Sequence, residues 1–183
     1  VSNTYVNDLS VLQNLENLHF LNIEGTQVTD LSVISNLTNL NQINFSNTKI
    51  SDLEPLNELP QLSIIYCDHS LVTREDVDTF RAIHPDKLII NESEALKMWW
   101  NELPSFWKSL LAEQTNVSIN PSKEELHSII NIRSLKLNHF IHDAEPLSRL
   151  TNIDNLDLSD TKIDDLSPLS VLHNLKTLNV SNT

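Results

Sequence analysis

The sequence predicts an α/β solenoid, a fold in which short repeats stack on one another, and three observations support this. An apolar pattern, L-x-x-L-x-x-L-x-I in its best copy, returns at a constant interval of about 22 residues, with copies that begin at Leu15, Leu37 and Leu59. A Thr or Ser and then an Asp follow most copies at constant spacing, and a short apolar turn often comes next. Such a pattern is typical of leucine-rich repeats, in which each copy packs only on its neighbours.

Each repeat should contain one short strand. Side chains alternate along a strand, so Leu21 and Ile23 should face the core while Phe20, Asn22 and Glu24 face outward. Strands one repeat apart should pair in parallel, and their outward positions should then stack in columns.

The recurring Asp and Thr side chains are explained by structure. Asp30, Asp52 and Asp165 each precede a short apolar turn and can cap its free amides. Pro55 and Pro168 favour a 3₁₀ or irregular turn over a long helix. Hydroxyl groups at the bend after each strand should bond to the backbone, so no catalysis is expected from them. These hydroxyls belong to Thr26, Thr48, Ser70, Thr161 and Thr183.

The repeat becomes irregular after Val72. Thr73 and Asp76 form a capping box that predicts a helix ending near Pro85. Residues 87–91 then read as one more strand.

Residues 92–119 contain all three tryptophans, Trp99, Trp100 and Trp107. Apolar residues recur here at helical spacing, and Pro104 predicts either two short helices or one kinked helix. The tryptophans could form a sugar-stacking or partner-binding platform. We favour a cap that covers the bare core at the end of a solenoid, because apolar residues at helical spacing usually become buried. A capping box at Ser122 then starts a further helix before the repeats resume.

Three regions are therefore predicted. They are a leucine-rich repeat array with an irregular last repeat over residues 1–91, a Trp-rich helical segment over 92–119, and a second array over 120–183. Both ends of the sequence fall at the same point within a repeat, so we expect a piece of a longer protein with a truncated second array. The compartment is not determined, although secretion or the cell surface is favoured.

The repeat resembles the bacterial leucine-rich repeats of the internalin type. The residues that carry the resemblance follow the spacing L-x-x-L-x-x-I-x-F-x-x-T-x-I-x-D-L-x-P-L from Leu37 to Leu56, and part of it again from Leu172 to Thr183. The resemblance implies the solenoid fold. For function it implies that a protein is bound through the concave sheet.

Composition and motifs exclude several function classes. A net charge of −13 repels phosphate backbones, so nucleic acid is not expected as a partner. No apolar run is long enough to span a membrane. Cys67 is the only cysteine and sits at a core position, and no phosphate-binding loop or catalytic motif occurs. His139, His142 and Asp143 lie close together in sequence, but a zinc site needs more convergent ligands. No enzyme activity, metal or cofactor is expected.

The best candidate site is the outward face of the first array. It combines apolar groups, amides, a phenol and an acidic edge, and exposed aromatic side chains are the usual anchors of interfaces. The partner-binding candidates are Phe20, Asn22, Glu24, Gln42, Asn44, Ile64, Tyr66 and Asp68, with Ser46 in the same columns. The corresponding second-array positions are small and polar, which suits hydrogen bonding to a glycan or a peptide backbone, although we favour plain solvation. They are Ser134, Lys136, Asn138, Asn155, Asp157, Ser159, Thr177, Asn179 and Ser181.

The leading prediction is a non-catalytic protein–protein interaction module that binds its partner on the concave sheet face. The acidic edge makes a basic protein a natural partner. Two alternatives stay open at this point. One is a carbohydrate or cell-wall adhesion module that binds a glycan, and the other is a passive structural spacer.

Overall fold

The computed structural model describes residues 3–137 and 141–183, and it confirms an α/β leucine-rich repeat solenoid with parallel strands. The chain divides into two compact units, Val1–Ser93 and Glu94–Thr183, called below the N-terminal and C-terminal units. The predicted positions Asn138 and His139 lie outside the described residues.

The N-terminal unit contains a parallel sheet of four strands in sequence order. They are β1 (Phe20–Asn22), β2 (Gln42–Asn44), β3 (Ile64–Tyr66) and β4 (Leu88–Ile90). Phe20 pairs with Gln42 and Gln42 with Ile64, so equivalent positions of consecutive repeats are neighbours, as the repeat spacing predicts. Ile64 pairs with Leu88, which lies farther along the chain than one regular repeat, so the fourth repeat is irregular as expected.

The C-terminal unit contains a second parallel sheet and three helices. Its strands are β5 (Ser134–Lys136), β6 (Asn155–Asp157) and β7 (Thr177–Asn179). Ser134 pairs with Asn155 and Asn155 pairs with Thr177, and the first of these two intervals is the shorter one.

Local sequence signals precede three of the four α-helices in the described residues. The four helices are α1 (Arg74–Ile83), α2 (Ser93–Glu102), α3 (Ser105–Thr115) and α4 (Lys123–Ile130). Helix α2 is the exception. Thr73 and Ser122 each form the predicted capping box, with Asp76 and Glu125 respectively. Pro104 separates α2 from α3, so the alternative of two short helices is correct.

Short 3₁₀ segments follow the repeat aspartates. Asp30 accepts a hydrogen bond from the amide of Ser32 at 2.7 Å, and Asp52 and Asp165 accept equivalent bonds at 2.8 Å, which confirms the predicted caps. Asp8 and Asp143 do the same at 2.8 Å, a role that was not predicted for them. The 3₁₀ segments are Ser10–Leu12, Ser32–Asn36, Glu54–Leu56, Glu145–Arg149 and Ser167–Val171.

The bends after β1, β2, β3, β6 and β7 are each closed by a side-chain hydroxyl. Thr26 donates to the carbonyl of Ile23 at 2.7 Å, and Thr48 donates to that of Phe45 at 2.6 Å. Ser70, Thr161 and Thr183 make the equivalent bonds, so this prediction is confirmed.

One residue in each of these bends has a left-handed backbone conformation with positive φ, a feature that was not predicted. Gly25 has φ 65°, and Asn47 and His69 occupy the same phase of the next repeats with φ 58° and 56°. Asp160 and Asn182 are their counterparts in the C-terminal unit. Gly, Asn and Asp tolerate this conformation best, so the recurrence of these residue types at one phase was an available signal.

Each unit has its own hydrophobic core. The repeat leucines and isoleucines of the N-terminal unit form one cluster together with Phe45 and with Val77 and Phe80 of α1. In the C-terminal unit, Trp100 and Trp107 share a cluster with repeat residues such as Leu135 and Leu156. None of the helices in the described residues is long and apolar enough to cross a membrane.

Candidate functional site

The strand register brings the predicted outward residues of the N-terminal unit side by side in two columns. Adjacent strands lie about 4.8 Å apart, so residues one repeat apart become neighbours. The columns are Phe20–Gln42–Ile64 and Asn22–Asn44–Tyr66. We call these six residues, together with Glu24, the outward face.

The outward face is accessible at β1 and β2 and becomes buried toward β3 and β4. Phe20 is 50% exposed, and Gln42 and Ile64 are half-buried. Tyr66 is only 9% exposed, and its β4 neighbour Ile90 is fully buried. The prediction that Tyr66 is an exposed anchor is therefore wrong, because its side chain has almost no area left to offer to a partner.

The asparagines of the outward face end their strands. The Oδ1 of Asn22 accepts the amide of Glu24 at 3.0 Å, and that of Asn44 accepts the amide of Ser46 at 2.9 Å. Asp157 and Asn179 make the same bond in the C-terminal unit. This recurrence indicates an Asx turn that belongs to the repeat, so these side chains have a structural role beside any binding role.

Glu24 is held in place by the next repeat. Its Oε2 accepts a hydrogen bond from Nδ2 of Asn44 at 3.2 Å, and its Oε1 accepts one from Nδ2 of Asn47 at 3.3 Å. The side chain is half-buried. Two amides therefore orient this carboxylate on the accessible part of the face.

Asp68, the other predicted acidic residue, is engaged by α2. One carboxylate oxygen accepts the backbone amide of Ser93 at 2.8 Å, and the other accepts the Ser93 hydroxyl at 2.7 Å. Asp68 thus caps the first residue of α2. A cap supplied from the preceding repeat has no local sequence signal.

The corresponding face of the second sheet is polar and internally paired. On this face Lys136 Nζ lies 3.2 Å from Oδ2 of Asp157, and just before β6 and β7 Lys176 Nζ lies 3.7 Å from Oδ2 of Asp154. Ser134, Asn155 and Thr177, the first residues of β5, β6 and β7, are exposed, and no aromatic side chain occupies an outward position of these three strands.

Hydrogen bonds from Ser159 strongly lower the pKa of the Asp157 carboxyl. The Ser159 hydroxyl at 2.6 Å and the Ser159 amide at 2.9 Å stabilise the carboxylate and lower its pKa to about 2, with a smaller contribution from Lys136. Because the folded pKa lies below the unfolded value, this contribution to stability is present above about pH 4 and is lost as the pH falls toward about 2.

We therefore expect a carboxyl NMR titration of Asp157 to give a pKa of about 2. Ser159→Ala should raise this pKa toward 3.8, because the largest stabilising hydrogen bond is removed. Ser167→Ala is the matched control, because the 3₁₀-capping Asp165 accepts the same kind of amide and hydroxyl bonds from Ser167, and it should leave Asp157 unchanged. An Asp157 whose pKa is 3.8 in the wild-type chain would contradict the described hydrogen bonds.

The tryptophans do not form an exposed platform. Trp100 and Trp107 are each 4% exposed and pack in the core of the C-terminal unit, and Trp99 is half-buried against the same cluster. The indole of Trp100 donates to the carbonyl of Ile119 at 3.3 Å. The predicted burial is thus confirmed for Trp100 and Trp107, and Trp99 is partly buried.

The remaining chemically suggestive residues are accounted for by structure. Cys67 is buried, and burial raises the pKa of its thiol to about 12, so it is not a nucleophile at neutral pH. Asp143 caps a 3₁₀ segment. Within residues 3–137 and 141–183, no three His, Cys, Asp or Glu side chains are grouped as a metal site requires.

Comparison with known proteins shows that this chain is similar to several solved structures. No protein-family model matches the chain, and no curated protein matches it. The chain is similar to internalin C2 of Listeria monocytogenes, with 22% identity and a TM-score of 0.46 over 99% of this chain and 69% of that one. It is also similar to a second Listeria internalin, inlF, with 19% identity and a TM-score of 0.40 over 98% and 52%.

A leucine-rich repeat protein of Leptospira interrogans is similar too, with 17% identity and a TM-score of 0.41 over 96% of this chain and 40% of that one. These neighbours are bacterial leucine-rich repeat proteins. The fold of this chain follows from its own repeat spacing and strand register.

Proposed function

We propose that this chain is a non-catalytic protein-binding module whose partner docks on the outward face at β1 and β2, with Phe20 as the anchor. The observation that carries the proposal is the exposure of Phe20, a large aromatic side chain on a strand whose apolar neighbours Leu21 and Ile23 are buried. Aromatic side chains dominate the energetics of interfaces, and half of the Phe20 surface is available.

Rigidity supports this function. The outward side chains stand on strands that are hydrogen-bonded to their neighbours, and their turns are closed by the side chains of Asn22, Asn44 and Thr26. A partner that meets such a surface loses little additional conformational entropy from the module, so more of the contact energy is retained as affinity.

The alternatives have less support. Burial of Trp100 and Trp107 removes the stacking platform that an adhesion module for glycans would use. The polar face of the second sheet already pairs Lys136 with Asp157. A passive spacer does not require an exposed anchor such as Phe20, and the experiment below separates it from a binding module.

We expect Phe20→Ala to weaken binding of the partner by about 1–3 kcal/mol, the usual range for an interface anchor. The immobilised chain would be exposed to extracellular and cell-surface protein fractions, and candidate partners would then be purified and titrated. Val11→Ala is the matched control. It truncates a different exposed apolar side chain, which lies on the 3₁₀ segment Ser10–Leu12 and not on the outward face.

Support requires a purified partner that binds the wild-type chain and Val11→Ala equally and Phe20→Ala more weakly, with unchanged thermal melting of the variants. A partner that binds Phe20→Ala as tightly as the wild type would place the site elsewhere. Glycan binding in the absence of any protein partner would favour adhesion, and no binding at all would favour the spacer.

A further inference from the structure

We infer that Glu24 determines specificity by binding a Lys or Arg side chain of the partner, next to an apolar side chain that packs on Phe20. This inference rests on the proposed function and specifies the chemistry of its partner. It is carried by the geometry of Glu24, by the contrast with Asp68 and by the charge distribution of the N-terminal unit.

Glu24 presents a preorganised carboxylate. Each of its oxygens accepts one amide hydrogen bond, at 3.2 Å from Asn44 and at 3.3 Å from Asn47. A carboxylate oxygen can accept about two hydrogen bonds, so each oxygen retains acceptor capacity for a cation. Its backbone amide is fixed by Asn22 at 3.0 Å. A rotamer that is already restrained loses less entropy when a cation binds it.

No cation within the described residues forms an ion pair with Glu24. Acidic residues greatly outnumber basic ones in the N-terminal unit, where the bases are Lys49, Arg74, Arg81 and Lys87. Most of these bases are already engaged, since Arg74 and Arg81 pair with Asp78, and the buried Lys87 donates to the carbonyl of Leu59. The N-terminal unit therefore carries a net negative charge, which attracts a basic partner.

Asp68 cannot fill the same role without a structural cost. Both of its oxygens bind Ser93 at the start of α2. The Asp68 oxygens also retain acceptor capacity, but a cation there would weaken the short bonds, 2.8 and 2.7 Å, that hold the start of α2. Glu24 caps no helix, and its longer bonds to Asn44 and Asn47 only orient the side chain. Glu24 is therefore the acid of the predicted edge that a partner cation can bind without disturbing a helix start.

The separation between Phe20 and Glu24 implies that two different side chains of the partner contact them. Phe20 and Glu24 are four residues apart, which is at most about 13 Å in extended backbone. One side chain does not cover both positions. We therefore expect a basic residue and an apolar residue that are separated by a few positions in an extended partner segment.

A peptide-display experiment tests this inference with the whole chain as bait. Short random peptides would be selected on the wild-type chain, and the best binder would be synthesised and titrated against variants. We expect enrichment of peptides with Lys or Arg near an apolar residue. Glu24→Gln should weaken binding of the selected peptide by about 10-fold or more, as loss of one member of a close interfacial charge pair does.

Further variants distinguish a specific pair from a general charge effect. Replacing the basic residue of the peptide with Gln should weaken binding to the wild type but not further weaken binding to Glu24→Gln. Asn47→Gly keeps a residue suited to the left-handed backbone while removing one amide donor, and it should weaken binding partially. Glu54→Gln removes an exposed acid from a 3₁₀ segment and should have no effect.

The possible results separate this inference from the proposed function. Peptides that depend on Phe20 but show no basic preference would overturn the role of Glu24 and leave the binding face intact. Equal weakening by Glu54→Gln would assign the effect to net charge and would also overturn it. Selection of no peptide that depends on Phe20 would contradict both proposals.

Discussion

Replacing Leu40 or Leu156 with Ala should lower the free energy of unfolding by about 2–5 kcal/mol, as large-to-small changes in cores do. Both side chains are fully buried in the middle of their arrays, Leu40 in the core of the N-terminal unit and Leu156 in that of the C-terminal unit. Strand β6, which carries Leu156, pairs with strands on both sides, so the cavity would affect neighbouring repeats as well. Urea denaturation of each variant measures the change.

The control for this prediction is Leu71→Ala. Leu71 is 59% exposed. Surface substitutions change stability by about 0.5 kcal/mol or less. A loss below about 1 kcal/mol for Leu40→Ala or Leu156→Ala would show that these positions are not the core positions of the repeat.

Replacing Trp107 with Ala should destabilise the C-terminal unit by about 3–5 kcal/mol, because a buried indole is removed from a well-packed cluster. Trp107 shares this cluster with Leu126, Leu135 and Leu156, so the helical segment and the second array have one core. Hydrogen exchange should show faster opening of the β5, β6 and β7 amides in the variant. This readout tests the capping role directly, since a tryptophan used only for binding would leave these amides protected.

Met98→Ala provides the comparison, because Met98 lies on α2 and is 62% exposed. In Met98→Ala, the amides of the C-terminal unit should be as well protected from hydrogen exchange as in the wild-type chain. Unchanged protection in Trp107→Ala as well would contradict a cap and would make the tryptophan segment a candidate binding surface again.

Patterns that depend on local chemistry were predictable from the sequence. The constant repeat spacing predicts the pairing of Phe20 with Gln42 and Ile64, because each repeat folds alike and stacks on the last. The aspartate caps and the two capping boxes need only a side chain and an amide two or three residues away. Pro104 separates two helices because it lacks an amide hydrogen.

Features that join distant residues were decided only by the tertiary structure. Asp68 caps α2 from the preceding repeat, and Lys87 is buried with its ammonium 3.0 Å from the carbonyl of Leu59. Glu24 is oriented by amides of the following repeat. None of these partners is adjacent in sequence, so no local pattern indicates them.

The exposure of the candidate site residues was also decided only by the tertiary structure. Phe20 and Tyr66 both hold outward positions of their strands, in different columns, and strand alternation alone predicts that both face away from the core. Phe20 stays half exposed while Tyr66 is almost fully buried. The repeat thus determines the direction of each side chain, whereas its exposure depends on what the rest of the chain packs around it, and this packing is not periodic.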